Sequence, residues 1–567
     1  MEGQQKRQWG ITSAISEAQP TEADNKLNDE LVEALKRQNV FESTEGSNNR
    51  LTVLNHLQKV VEEFVRRVSK KKGLAQATVD ASGGKIFCFG SYALGVYGPT
   101  SDIDTLLVAP KHVFLDDFFD HFPSTFKEMS RAEDITEFNP VRDAFVPIIK
   151  MEYRGVSIDL IFASLPTMTH ISKDLETIDK TMLRNLDDTA MRSVNGTRVT
   201  KELLQSVPQV KSFRHALRAI KLWSNQRAIY GAVFGYPGGI AWAIMVARIC
   251  QLYPFACGAT ILSKFFSLMY KYQWPKPILL KHIEEGTLGL RVWNPTIYSG
   301  DRQHLMPIIT PAFPSMCATH TIGLSTRAIM MQEFERADKI VYEIHSGKKS
   351  WDALFERHSF FTKDHKYYLS VVAASRSKEA NSTFSGLVQS KVRLLVKGID
   401  EGQAGVEVAR PYTKSFERIH RCANEDQVDR VIQGNLDYMV KDASTPLEDN
   451  STDHIIYTST FYIGLTLPPE GAKSLDISYP VSDFKRTVMT SDMYNEDTMS
   501  VKVVHTRNTQ LPDDVFVPGE TRPKKPTKEK KKKDTSKGVK RPLAETGLDV
   551  RESRLAKTPR RSPASQE

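Results

Sequence analysis

An α+β chain of several domains is what this 567-residue sequence predicts. Three observations carry that expectation. Short β-branched runs alternate with amphipathic helices up to about residue 207. A mainly helical stretch follows over 208–357, and a sheet-plus-helix region begins near Phe361. The length fits three or four domains. With 40% hydrophobic residues the chain can bury real cores, and 26% charged residues is ordinary for a soluble protein.

The first residues, to about 25, are polar. A helix is expected over 26–37, where Leu27, Leu31 and Leu35 share one face, and a second over 53–68, built on Leu54, Leu57, Val61 and Phe64. The texture then changes. Residues 85–89 read as a strand that Gly90 and Ser91 break, and 103–108 as a strand ended by Ala109-Pro110. Residues 148–153 and 156–162 read as two more strands, with Gly155 at the turn. In the second region Phe213, Leu217, Ile220 and Leu222-Trp223 line one side of a helix. Two further helices are expected over 240–249 and 259–269. In the third, 367–373 is strand-like, 387–396 helical, 454–465 a long β-rich run and 501–504 another strand. After about Leu511 little remains to build a core, and residues 521–567 are expected to be disordered.

Composition excludes several classes. The five cysteines are odd in number and widely spaced, with no CxxC, which argues against a disulfide framework or zinc module. The most apolar stretch, 238–247, is ended by Arg248 and is too short to span a bilayer. The polar N-terminus lacks the apolar core of a secretory signal. An intracellular protein without a membrane partner is expected. The net charge of +9 is unevenly placed: residues 521–567 hold 16 Lys or Arg against 6 Asp or Glu, a net +10, which leaves −1 for the rest. Net charge therefore says little about what the folded body binds.

The chemistry concentrates in one stretch. Asp102 and Asp104, two apart at a strand, point the same way. Side by side, each resists ionising, and a divalent cation between them resolves the repulsion. Upstream, Gly90 and Ser91 stand at a strand-to-helix break, where backbone N–H groups and the Ser91 hydroxyl can meet phosphate oxygens. Asp159 lies in an apolar strand where a lone acid is costly to bury, and a shared metal offsets that cost. Three carboxylates admit a pair of ions about 3.5–4 Å apart, one activating a hydroxyl and one steadying a leaving pyrophosphate. A lone DxD is commonly a solvated strand edge. The ordered set of strand, Gly-Ser, DxD and later Asp is far more specific.

These residues resemble the nucleotidyltransferases that share their fold with DNA polymerase β. The likeness extends through FGSYALGVYGPTSDIDTLLVAP, DAFVPIIK, SIDLIFA, SVNGTRVT, ALRAIKLW, GYPGGIAWAIMVARICQLYP, GLRVWNP and MPIITPAFPSMCATH, which together look like the eukaryotic nuclear poly(A) polymerases in their fungal form, over roughly residues 9–520. The resemblance implies a catalytic domain over 20–207, a helical middle domain over 208–357, an RRM-like RNA-binding domain over 358–520 and a disordered basic tail over 521–567. It implies transfer of AMP from ATP to the 3′ end of pre-mRNA with Mg²⁺ or Mn²⁺, pyrophosphate leaving. It implies catalytic metal ligands at Asp102, Asp104 and Asp159. Nucleotide contacts would come from Phe89, Gly90, Ser91, Ser101, Phe145, Lys150, Asn195, Lys221, Tyr230, Gly239 and Ile240. The enzyme would act as a monomer in the nucleus, recruited by the cleavage and polyadenylation factor complex.

Lys150 and Lys221 can offer charge to phosphates. Lys221 and Tyr230 are nine residues apart and would face opposite ways on one helix. If both touch ATP, the helix must end or bend before Tyr230, which Gly231 permits. Two positions depart from the family: Ala93 stands where it usually has Arg, and Ala232 where it usually has Asn, so a polar contact to the nucleotide is missing. The third region lacks the aromatic RNP1 signature. In the tail, Lys530–Lys533 with Lys540-Arg541 reads as a nuclear-localisation or RNA-contact segment, or equally as a solubilising one, and Thr558-Pro matches a proline-directed kinase site. Two competitors remain: a catalytically degenerate RNA-binding scaffold, and a sister transferase with another nucleotide preference.

Overall fold

A computed structural model describes residues 8–286, 288–402, 405–440, 453–468 and 475–524. The tail's lysine run, Lys540-Arg541 and Thr558 lie outside the described residues.

The first helices start earlier than their apolar periodicity. Helix α1 (Glu22–Arg37) begins at Thr21, whose side chain and that of Asp24 form a reciprocal capping box. Helix α2 (Thr44–Lys71) is capped by Ser43. Caps, not core residues, set these starts. A short α3 (Gln76–Ala81) leads to β1 (Lys85–Cys88), α4 (Gly90–Leu94), β2 (Ile103–Pro110), α5 (Leu115–Met129), β3 (Ile135–Val141), β4 (Ile148–Tyr153), β5 (Val156–Leu165) and α6 (Asp188–Gln205). The five strands form one sheet in the order β1-β2-β5-β4-β3, with only β2 and β5 parallel.

Strand β2 is buried on both faces. Ile103, Leu107 and Ala109 join a core with Phe64 of α2 and Phe118 and Phe122 of α5, while Leu106 and Val108 pack with Val194 of α6. Two-sided burial makes β2 and β5 read as continuous apolar runs rather than alternating ones. Because parity fixes the face, Asp104 shares the α6 side with Leu106 and Val108.

The middle region holds α7 (Val210–Gln226), α8 (Gly239–Leu252), α9 (Gly258–Tyr270), α10 (Ser299–Arg302) and α11 (Leu324–His345). Trp223, Trp242, Phe265, Phe266 and Phe334 meet at its centre, with Trp223 and Phe334 stacked at 5.9 Å. Leu31, Ala34 and Leu35 of α1 belong to this core, and Trp351 donates its indole N–H to the Leu27 carbonyl at 3.0 Å. Helix α8 is apolar all round because neighbours surround it. No helix among the described residues is long and apolar enough to cross a membrane.

The last region contains β6 (Tyr367–Ser375), α12 (Lys378–Glu401), β7 (Val408–Pro411), β8 (Phe416–Cys422), α13 (Glu425–Ile432), β9 (His454–Thr466), α14 (Ser478–Met489) and β10 (Met499–Arg507). The sheet runs β10-β6-β9, with β7 and β8 both pairing along β9. This is the split β-α-β-β-α-β arrangement expected of an RRM-like domain, with α13 inserted. Helices α12 and α14 cover one face. The other face is covered too: Leu511 and Val515 close over Tyr368, Tyr412 and Tyr462, and Val428 and Val431 of α13 pack on Ala374, Cys422 and Ile456. The core thus continues beyond Leu511, where the sequence leads one to expect little. Arg418 explains part of this, reaching from β8 to Asp514 at 2.6 and 3.0 Å. All five cysteines are free thiols, four of them buried and Cys88 half-buried.

Candidate active site

The three aspartates converge through strand register. Asp104 on β2 is the direct partner of Asp159 on parallel β5, and Lys150 on β4 is the direct partner of Asp159 from the other side. Asp102 stands just before β2, exposed at the strand's entry. Carboxylate oxygens of Asp102, Asp104 and Asp159 lie within 4.8 Å of one another. Lys150 Nζ donates to both Asp159 oxygens, at 3.0 and 2.9 Å.

The electrostatics follow from this crowding. Burial, then the Asp102 and Asp159 charges, push the Asp104 carboxyl up to about 7 from 3.8, while Lys150 and Lys221 pull the other way. A half-buried acid held near neutrality beside two others is a site short of positive charge. Three carboxylates in this arrangement fit a divalent cation.

Gly90 lets this cluster form. Its φ of +62° is left-handed, and a Cβ there would lie 2.0 Å from Asp104 Oδ2. No other residue type fits both demands. The Gly90 N–H is bonded to Thr200 Oγ1 of α6 at 3.4 Å. Ser101 Oγ accepts from the Gly98 N–H at 3.0 Å and so shapes the turn ahead of Asp102.

Beside the triad opens a cavity of about 470 Å³. It gathers Phe89, Gly90, Ser91, Ser101, Asp102, Asp104, Asn195, Lys221, Tyr230, Gly239 and Ile240 from four segments of chain. Lys221 Nζ donates to the Val96 carbonyl at 3.2 Å, and burial, then the charge of Arg218, lower its pKa. Burial and the nearby aspartates raise that of Tyr230. Asn195 Oδ1 is buried with no hydrogen-bond partner. A buried amide oxygen left unpaired in a cavity wall is costly in the free protein, and a ligand donor would satisfy it.

Lys221 and Tyr230 do share the cavity, and the break that permits it precedes Gly231. Helix α7 ends at Gln226, Arg227 caps it, and Ala228 takes the left-handed φ of +52°.

Two expected contacts stand elsewhere. Lys150 reaches Asp159 rather than the cavity wall. Phe145 sits on the β3–β4 loop, a residue 79% exposed, with the Arg192 guanidinium over its ring at 4.1 Å. Conversely, the cavity includes Leu94, Val96, Gly196, Val199, Thr200, Leu217 and Thr310, which sequence reading passed over. Helical spacing carried some of this signal: Val199 follows Asn195 by one turn and Leu217 precedes Lys221 by one. Thr310 is brought in by tertiary folding alone.

Three family models match in succession: poly(A) polymerase nucleotidyltransferase domain over residues 10–207, poly(A) polymerase central domain over 212–357, and poly(A) polymerase predicted RNA binding domain over 359–525. The poly(A) polymerase PAPa of Candida albicans is 46% identical over 547 residues, covering 94% of this chain and 98% of its own. The poly(A) polymerase pla1 of Schizosaccharomyces pombe is 44% identical over 556 residues, covering 94% and 97%. A poly(A) polymerase of Dictyostelium discoideum is 39% identical over 530 residues, covering 92% and 61%. A solved cytoplasmic RNA terminal U-transferase aligns with 59% of this chain and 99% of its own at 16% identity and a TM-score of 0.38, too loose a likeness to bear on function. With family models matching in succession along the chain, two fungal relatives this similar along nearly their whole length and a carboxylate triad beside a cavity, the chain belongs to the poly(A) polymerase family.

Proposed function

We propose that the chain adds AMP from ATP to the 3′ end of RNA without a template, releasing pyrophosphate. The observation that carries this reading is the carboxylate triad of Asp102, Asp104 and Asp159, two of which, Asp102 and Asp104, line the 470 Å³ cavity. In this reading the 3′ hydroxyl attacks the α-phosphorus, a P–O bond forms there, and the bond to pyrophosphate breaks. Divalent cations held by the three aspartates, Mg²⁺ or Mn²⁺, would lower the charge on the phosphates and favour the attacking oxygen as its alkoxide.

The chain's own residues supply the rest. Gly90 and Ser91 let the nucleotide's phosphates approach the backbone closely. Lys221 meets phosphate charge from the cavity wall, and its buried position means that a bound anion also relieves its own desolvation. Asn195 Oδ1 and the Tyr230 hydroxyl offer polar contacts to the sugar or base. Lys150 holds Asp159 in place. Ala232, where the family usually has Asn, stands outside the cavity's lining and offers the nucleotide no polar contact.

The RNA is taken to be pre-mRNA in the nucleus, delivered by a cleavage and polyadenylation complex. With the last domain's sheet covered on both faces, RNA contacts there would come from edges and loops rather than by base stacking on the sheet.

The test is primer extension by the purified chain with a short RNA, Mg²⁺ or Mn²⁺, and each nucleoside triphosphate in turn. The expected result is a ladder with ATP alone. Equal or better extension with UTP would assign a sister activity. No extension and no nucleotide binding would leave a scaffold.

A further inference from the structure

The cavity wall that carries Tyr230 is fastened from a distance by the last domain. Helix α7 ends at Gln226, and the final carbonyls of a helix have no partner within it. Here two of them are satisfied by residues far along the chain. The Gln226 carbonyl accepts from the His358 N–H at 2.9 Å. The Arg227 carbonyl accepts from Arg410 Nη2, on β7, at 2.8 Å.

Arg410 does not act alone. The preceding residue, Ala409, donates its N–H to Ser325 Oγ of α11 at 2.7 Å. The next, Pro411, accepts from the Tyr236 hydroxyl at 3.3 Å. Three consecutive residues of one short strand therefore hold the end of α7, the start of α11 and the loop after Tyr230. Arg410 is 4% exposed, and its other amino group meets Asp364 Oδ2 at 3.0 Å.

Between these anchors the loop has little freedom. The Gly231 N–H bonds the Pro237 carbonyl at 3.1 Å and the Tyr236 N–H returns to the Gly231 carbonyl at 3.2 Å. At the far end, a Cβ on Gly239 would lie 2.7 Å from the Tyr230 hydroxyl. The Arg227 side chain is itself committed, bidentate to buried Glu333 at 2.9 Å on each arm. From the Arg227 carbonyl the chain runs through only Ala228 and Ile229 to Tyr230 in the cavity wall.

We propose that Arg410 is a positioning residue for the nucleotide: from the last domain it sets Tyr230 by holding the Arg227 carbonyl. This rests on the reading that the cavity takes ATP. It also gives the last domain a part in nucleotide binding that does not involve RNA.

The experiment compares full-length wild type, Arg410→Lys and Asp364→Asn in ATP-dependent primer extension, with Mg·ATP binding by calorimetry and melting temperature alongside. A lysine keeps a charge for Asp364 but cannot span both Asp364 and the Arg227 carbonyl. For Arg410→Lys the KM for ATP and the calorimetric Kd rise about 2- to 10-fold, the range one buried hydrogen bond supports. Its kcat stays within about twofold and the KM for RNA is unchanged, as expected when binding alone is perturbed. Asp364→Asn lowers the melting temperature and leaves the ATP affinity alone. The proposal is overturned if Arg410→Lys binds ATP like wild type, or if both variants lose affinity in step with their loss of stability. Should Arg410→Lys fail to fold, Arg410→Gln, which likewise cannot reach both Asp364 and the Arg227 carbonyl, is measured instead. A rise in the ATP KM supports the proposal, and an unchanged one overturns it. A wild-type chain that binds no ATP would refute the adenylyltransferase reading itself, a result distinct from any difference between variants.

Discussion

Replacing Asp104 by Asn makes the metal-free protein more stable at alkaline pH. Burial and two neighbouring carboxylates raise this acid from 3.8 to about 7 in the folded chain. In the unfolded chain it ionises near its ordinary value. Between those limits the unfolded state has released the proton and the folded state has kept it. Stability therefore falls as pH rises through that window and levels off above 7. Each pH unit within it costs about 1.4 kcal/mol, so the full penalty is about 4 kcal/mol at most. Between pH 5 and pH 8 the share is about 2–3 kcal/mol. Asn has no proton to lose, so the difference between the two proteins reports Asp104 together with its coupling to Asp102 and Asp159.

The assay is thermal melting of wild type and Asp104→Asn in EDTA at both pH values. The advantage of the variant grows from pH 5 to pH 8 by several degrees, at about 2–4 °C per kcal/mol for a domain of 150–250 residues. Excess Mg²⁺ then raises the wild-type melting point more than the variant's. An advantage equal at both pH values, or a wild type that gains on the variant at pH 8, would show that the crowded carboxylates do not leave the site short of positive charge.

Other perturbations test separate parts of the site. Gly90→Ala forces a Cβ against the Asp104 carboxylate at a left-handed φ, so primer extension falls at least about 100-fold, ~2.7 kcal/mol of barrier, while circular dichroism stays native. Asn195→Leu removes a buried acceptor that has no partner in the free protein; its melting temperature holds or rises while the KM for ATP increases about tenfold or more. Arg227→Met leaves Glu333 buried without its partner, and melting should reveal a loss of about 3–5 kcal/mol.

Much of the site is local in sequence, and that part was legible. Strand alternation put Asp102 and Asp104 on one side, and the apolar run around Asp159 marked an acid that needed a partner. Parallel pairing of β2 with β5 then made Asp104 and Asp159 neighbours, which the sequence does not state because register depends on the whole sheet. Edge strand β3 left no trace, being mostly exposed and holding Pro140. Helix α5 carries a readable signal in Phe118, Phe122 and Phe126, one turn apart. The cover on the last sheet was hidden for another reason. Leu511 and Val515 are isolated apolar residues in a polar stretch, and only the fold brings them to Tyr368 and Tyr462. Likewise Arg410 reads as one more surface arginine until β7 is seen docked on the end of α7.

Template-independent addition of AMP rests on three carboxylates, Asp102 just ahead of β2, Asp104 on β2 and Asp159 on β5. Asp159→Ala tests it most directly, assayed on a labelled RNA primer with ATP and Mg²⁺ and checked for a native melting profile. The expected result is a folded protein that leaves the primer unextended, beside a wild type that lengthens it with no template present. A folded Asp159→Ala variant that extends the primer as wild type does would rule out a metal-holding role for Asp159.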